Sequence, residues 1–209
     1  MHIYWKGQSC FNINAAYGKG ESLSILIDPV DPKTGTKLSK QKADICIFTN
    51  NQTDTNDFEG FLINQPGEYE IKGVYIKGIG CPDCSDKNKA DFIYTIEAED
   101  MKICHLGNLK QKELSPKQLS AIGEVDVLMI PVGGDYVLDE KEALEVINQI
   151  EPKIIVPMVY QIDLVKTKLE DVKLFLKEMG ATGLAPQEKL LIKKKDLDGK
   201  EDEVIVLQP

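Results

Sequence analysis

What most constrains this chain is a change of rhythm near Leu109. Before it, "HIYWKGQSCFNINA", "SLSILIDPV", "ADICIFTN", "GEYEIKGVYIKGIG" and "DFIYTIEAEDMKICHLG" mix branched and aromatic residues in short alternating or apolar runs, with Pro and Gly between them. "GE" and "AED" are expected as turns, so about six strands precede any convincing helix. After Leu109, helix and strand alternate. Ser115 and Pro116 supply a cap and a first-turn proline for a helix "SPKQLSAIG", and "VDVLMIPVGG" follows as a buried strand. Asp139 caps "DEKEALEVINQI", with Ala143, Leu144, Ile147 and Ile150 on one face, and "KIIVPMVY" is the next buried strand. A third helix, "LEDVKLFLKEMG", stops at Gly180, and the closing segment reads as two strands forming a hairpin around Asp198 and Gly199. Strands first, then alternation, then strands again describe two sheets with helices outside them, an α/β or α+β sandwich. The length of 209 residues without a low-complexity linker is expected to form a single domain, 1–209.

Charge narrows the partners. Lys and Arg number 25 against 34 Asp and Glu, a formal charge of −9, which argues against attraction to nucleic acid or anionic membrane surfaces. The start "MHIYWKGQSC" lacks the basic and apolar runs of a signal peptide, and no stretch has the length and apolarity of a membrane helix. Five cysteines, Cys10, Cys46, Cys81, Cys84 and Cys104, are read as reduced thiols, and the expected location is cytoplasmic.

Seven stretches, "WKGQSCFNI", "ILIDP", "ADICIFTNNQTDTND", "PGEYEIKGVYIKGI", "ICHLGNL", "IGEVDVLMIPVGG" and "PKIIVPMVY", resemble in order the motifs of the metallo-β-lactamase superfamily, specifically its small bacterial and archaeal metal-dependent hydrolases. The resemblance spans nearly the whole chain. It implies a four-layer αββα sandwich with the active site at one edge of the two sheets. In such families a Thr/Ser-His-x-His-x-Asp-His loop supplies neutral imidazoles and a carboxylate to two zinc ions. On that pattern Thr49 matches the leading hydroxyl, Asn50 and Gln52 stand where the first two His belong, Asp54 is retained, and Thr55 replaces the third His. A later His falls on Asp83, or with a small shift on Cys81 or Cys84. The bridging Asp is Asn108, and the His of the family's "PMHY" is Val159. The chain has two histidines, His2 and His105, whereas the family's dinuclear centre draws on about five. The resemblance therefore implies the fold and withdraws the usual mechanism. No catalytic residue is expected, Asp54 being only a vestigial candidate base.

Asn50, Gln52, Asp54, Thr55, Asp83, Asn108 and Val159 thus mark a vestigial cleft, expected to close on its own hydrogen bonds or to hold a small polar ligand or a protein partner, with no cofactor. The alternative is one divalent metal ion, held by hard oxygen donors such as Asp54 and Asp83 or by Cys81 and Cys84 of "CPDC", in a hydrolase of phosphodiesters, esters or lactones. Asp54 without a metal faces a water of ordinary pKa, a poor nucleophile. Cys104 and His105, adjacent on a strand, point to opposite faces and cannot form a nucleophile and base pair. Trp5 and Phe11 are expected in the core, Lys193 to Lys195 on a solvated strand, and "PVGGD" offers at most a weak anion nest.

Overall fold

The structure, a computed structural model, describes residues 1–18, 20–29, 42–50, 58–81, 91–163 and 167–209. Its first nine elements are strands: β1 (His2–Trp5), β2 (Phe11–Tyr17), β3 (Glu21–Ile27), β4 (Lys42–Ile47), β5 (Glu59–Ile63), β6 (Gly67–Ile71), β7 (Val74–Cys81), β8 (Asp91–Ala98) and β9 (Met101–His105). Then come α1 (Pro116–Ile122), β10 (Val127–Pro131), α2 (Glu140–Ile150), β11 (Ile154–Met158), α3 (Val172–Glu178), β12 (Leu190–Leu191) and β13 (Glu203–Val204). They build two mixed sheets, ordered β12-β1-β2-β3-β4-β5 and β13-β11-β10-β9-β8-β7-β6.

Burial follows the sequence pattern. In β1 and β2 alternate residues are buried, so Ile3, Trp5, Phe11, Ile13 and Ala15 enter the core between the sheets. Every residue of β10 and β11 is buried, as parallel strands covered on both faces require. A smaller cluster of Cys10, Leu26, Ala43, Cys46 and Phe48, with Phe58 against it, lies on the other face of the six-stranded sheet. The helices begin where their caps fall. Ser115 with Gln118, and Asp139 with Glu142, form reciprocal capping boxes, and Asp171 caps α3. On α2 the buried face is Ala143, Val146, Ile147 and Ile150, with Leu144 only half-buried at its margin. α1 packs on β7 and α2, and α2 on α3.

Three expectations are corrected. Gly67 and Glu68 open β6 instead of making a turn; the chain reverses at Lys72 and Gly73, both at positive φ, as Glu99 and Asp100 are in the hairpin of β8 and β9. The closing segment is not a hairpin. β12 pairs antiparallel with β1 while β13 pairs parallel with β11, in the opposite sheet. Between them Lys194–Leu197 is a short 3-10 turn, so the lysine run is not a solvated strand. Lys194 Nζ reaches Asp126 at 3.1 Å, beside Lys153 Nζ at 2.8 Å. The local turn signal at Asp198 and Gly199 was sound; which strands flank it is decided by vacant positions on two different sheets.

Candidate functional site

The parallel strands set the edge on which the candidate residues meet. β3 and β4 run parallel, with Ile27 opposite Ile47, and β9, β10 and β11 run parallel, with Met129 opposite His105 and Pro131 opposite Met158. Asp28, Thr49, Asn50, Asn108, Gly133 and Val159 all lie just beyond the carboxyl ends of these strands, where open α/β sheets place their ligands. Two contacts join the sheets there. Phe92 N–H donates to the Thr49 carbonyl at 2.7 Å, and Asn50 makes an antiparallel bridge with Asp91.

Thr49 is the pivot of this edge. It is buried, its N–H donates to Asp28 Oδ1 at 2.7 Å, and its hydroxyl donates to Asp28 Oδ2. Asp28, also buried, anchors its own N–H on the Ile47 carbonyl at 2.9 Å, so the carboxylate ties the ends of β3 and β4 together. From the other sheet Gly107 comes so close that a Cβ on it would lie 2.7 Å from Thr49 Cβ; at φ 59 it also needs the freedom of glycine.

His105 serves the same scaffold. It is fully buried on the inner face of β9, with its ring edge-on to Phe11 at 5.6 Å. Gly107 N–H donates to Nδ1 at 3.0 Å, so Nε2 carries the proton and donates to the Ser9 carbonyl at 2.9 Å. Burial holds the imidazole below its usual pKa, against the opposing pull of the Asp28 carboxylate and the Ser9 carbonyl. Both ring nitrogens are thus engaged with backbone. Cys104 faces the other way, and burial, with Cys81 nearby, pushes its thiol far above the ordinary range. His2, the other imidazole, is on β1 opposite Leu191.

The positions that the resemblance marks as a cleft are distributed as follows. Asn50 and Asn108 are half-buried on the shared edge, and Val159, two strands beyond Asn108, is fully buried. Gln52, Asp54, Thr55, Asp83 and Cys84 lie outside the described residues. Cys81 ends β7 opposite Asp91, with its buried sulfur 3.9 Å from Gln118 Nε2 of α1. The glycine pair of "PVGGD" is used for packing. A Cβ on Gly133 would fall 2.1 Å from the Val159 carbonyl oxygen, and the Gly134 N–H is spent on the Leu138 carbonyl.

Val159 has φ 51, in the left-handed region that a β-branched side chain tolerates worst. Its neighbour Tyr160 packs on Trp5 at 4.9 Å between ring centroids, and Trp5 Nε1 donates to the Gln8 carbonyl at 2.7 Å. Gln8, itself at φ 51, accepts a hydrogen bond from the Tyr136 hydroxyl, while its Nε2 is buried with no partner among the described residues.

Zinc takes imidazole, thiolate and carboxylate donors. Among the described residues this edge offers the amides of Asn50, Asn108 and Gln8, an apolar Val159, the carboxylate of Asp28 already bonded to Thr49, and the carboxylate residue Asp91, and no three His, Cys, Asp or Glu side chains converge. The described donors do not fit a dinuclear zinc centre. Sequence reasoning missed Asp28, Asp91 and Gln8. Asp28 had a signal, a lone acid ending an apolar strand before Pro29; Asp91 and Gln8 had none, because their placement depends on strand register and on a long-range aromatic contact.

Two facing mixed sheets, with parallel strand ends converging on one edge, define a metallo-β-lactamase-type sandwich. A family model for the beta-lactamase superfamily domain matches residues 2–159, and the chain belongs to that family. It is 37% identical over 187 residues to a UPF0173 protein of Pyrococcus furiosus, covering 77% of this chain and 83% of the relative. It is 24% identical to a UPF0173 metal-dependent hydrolase of Thermoplasma acidophilum, over 90% of this chain and 96% of that one. A solved metallo-beta-lactamase superfamily structure from Thermotoga maritima superposes with a TM-score of 0.78 at 32% identity, covering 99% of this chain and 97% of that chain.

Proposed function

We propose that residues 1–209 form one metallo-β-lactamase-like domain, cytoplasmic, that has lost the dinuclear zinc site and acts by binding, as a pseudoenzyme whose former cleft takes a small polar ligand or a protein partner. The observation that carries this reading is Val159. A fully buried aliphatic side chain in a left-handed conformation is a poor choice for packing alone, whereas that backbone suits residues such as His, Asn or Gly. The strand end thus keeps a geometry suited to a different residue, and the replacement carries no donor atom. The orphaned Gln8 Nε2, in the turn between β1 and β2, supports a polar ligand with an acceptor atom, since a buried unpaired donor costs about 1–3 kcal/mol until something accepts from it.

A second reading rests on Asp91. Its bridge to Asn50 adds a carboxylate residue to an edge already rich in oxygen donors, which suits one Mg²⁺, Ca²⁺ or Mn²⁺ in an altered hydrolase. Elemental analysis of the purified protein after incubation with each metal separates the two. Less than a tenth of an equivalent retained supports the binding protein; a stoichiometric ion abolished by Asp91→Asn together with Asp54→Asn sinks it. A restoration variant carrying Asn50→His, Gln52→His, Thr55→His, Asp83→His, Asn108→Asp and Val159→His is expected to regain zinc. If it folds and takes none, the idea of a cleft intact in outline is wrong.

A further inference from the structure

A two-sheet sandwich has four lateral edges, and three of these are blunted. β12 and β13 are two residues long. β6, "GEYEI", exposes Glu68 and Glu70, and antiparallel pairing with its own copy about Tyr69 would set Glu68 against Glu70. The fourth edge, β5, is five residues long, and no described strand pairs with its outer side. It presents Phe61 at 49% and Leu62 at 37% exposure, with no charge in its centre. Its one charged residue, Glu59, is matched within the chain by Lys42 Nζ at 2.9 Å.

The backbone direction of β5 is fixed by one bond. Phe48 N–H donates to the Ile63 carbonyl at 2.8 Å, so Ile63 and, by alternation, Phe61 turn their backbone groups toward β4. Leu62 and Gly60 turn theirs outward. We propose that β5 is the seam of a homodimer, in which two copies of this chain pair β5 antiparallel about a two-fold axis at Phe61. In that register Gly60 faces the partner's Leu62 and the two exchange both backbone hydrogen bonds. Phe61 meets its own copy at the non-hydrogen-bonded position, where cross-strand side chains come closest. Glu59 falls opposite Ile63, so no like charges meet in a chain of net charge −9. Tyr69, already edge-on to Phe61 at 6.3 Å, flanks the aromatic pair. The six-stranded sheet continues through the seam into that of the partner. A different protein donating the strand would need the same apolar centre; a second copy is favoured because its register satisfies backbone and charge together.

The test is sedimentation equilibrium of the full chain across about 1–100 µM, the range expected for a short strand-pairing interface. The expected result is a concentration-dependent dimer. Phe61→Lys, which sets two cations face to face, and Leu62→Pro, which removes an outward N–H without touching the bonds to β4, should each be monomeric at concentrations where the parent is dimeric. Both should keep the parent's circular dichroism. Should Leu62→Pro fail to fold, hydrogen exchange decides, since the Leu62 amide of the parent chain must gain protection as concentration rises. A parent chain monomeric throughout, a dimer that persists in Phe61→Lys, or a Leu62 amide indifferent to concentration would overturn the proposal.

Discussion

Val159 allows strain to be separated from packing, because its two effects pull in opposite directions on substitution. Truncation to Ala removes two buried methyl groups and is expected to destabilise by about 2–3 kcal/mol. The same cost applies at Val156, equally buried in the middle of β11 but absent from the positive-φ residues, so Val156→Ala serves as the control. The next step, Ala to Gly, differs in sign. At Val156 it loosens an extended strand and loses a further 0.5–1 kcal/mol or so. At Val159 it relieves a left-handed conformation that costs an L-residue about 1–2 kcal/mol, against roughly 0.4–1 kcal/mol of added unfolded-chain entropy. Val159→Gly should therefore be more stable than Val159→Ala by about 0.5–1 kcal/mol, while Val156→Gly is less stable than Val156→Ala by a similar amount. Urea unfolding at 25 °C, with m-values checked for constancy, measures all four variants. If Gly is worse than Ala at both positions, the strain at Val159 is absent, and with it the argument that this strand end retains a backbone suited to another residue. The carbonyl of Val159, pinned where Gly133 has no Cβ, is the reason the backbone is not expected to relax away from φ 51.

Other perturbations test the scaffold beneath the edge. Asp28→Asn leaves the Thr49 N–H or hydroxyl without its acceptor and is expected to cost about 2 kcal/mol by chemical denaturation; a cost below a few tenths would mean the tie is not structural. His105 has its folded pKa depressed by burial, so the unfolded chain binds its proton first as pH falls. The stability this contributes is complete above the unfolded value of about 6.5 and is lost as pH falls from there through the lower folded value. A His105→Gln variant should be less stable at neutral pH and show a flatter stability profile between about pH 5 and 7. At Asp126 burial raises the pKa, but the Lys153 ion pair, the Lys102 N–H and Lys194 outweigh it and leave the carboxyl below its usual value. Its stabilisation is present above about pH 3.9, the unfolded value, and is lost as pH falls through the lower folded one. Because both lysines are about half exposed, Asp126→Asn is expected to cost only about 1–2 kcal/mol, less at high salt, in urea titrations run at two ionic strengths.

The fold was legible where the information is local or where motifs occur in order. Caps at Ser115 and Asp139, the stop at Gly180 and the buried runs of β10 and β11 follow from short-range chemistry, and the structure has them where the residues put them. The closing strands were misassigned because a turn signal at Asp198 and Gly199 says that the chain bends, not which neighbours it meets. Leu190 and Leu191 join β1, Glu203 and Val204 join β11, and both choices are made by partners more than forty residues away in sequence. The edge shows the same division. Asn50, Asn108 and Val159 could be named because each ends a recognisable strand, but their meaning depends on what surrounds them. Thr49 is held by Asp28 and pressed by Gly107, so a carboxylate and a glycine contact join the strand ends whatever the cleft binds. On the proposed reading, a change of side chain at Asn50, Asn108 or Val159 alters the chemistry of the edge and leaves this support in place. The support lies in the scaffold that this chain shares with the Thermotoga maritima structure, which covers 99% of its length.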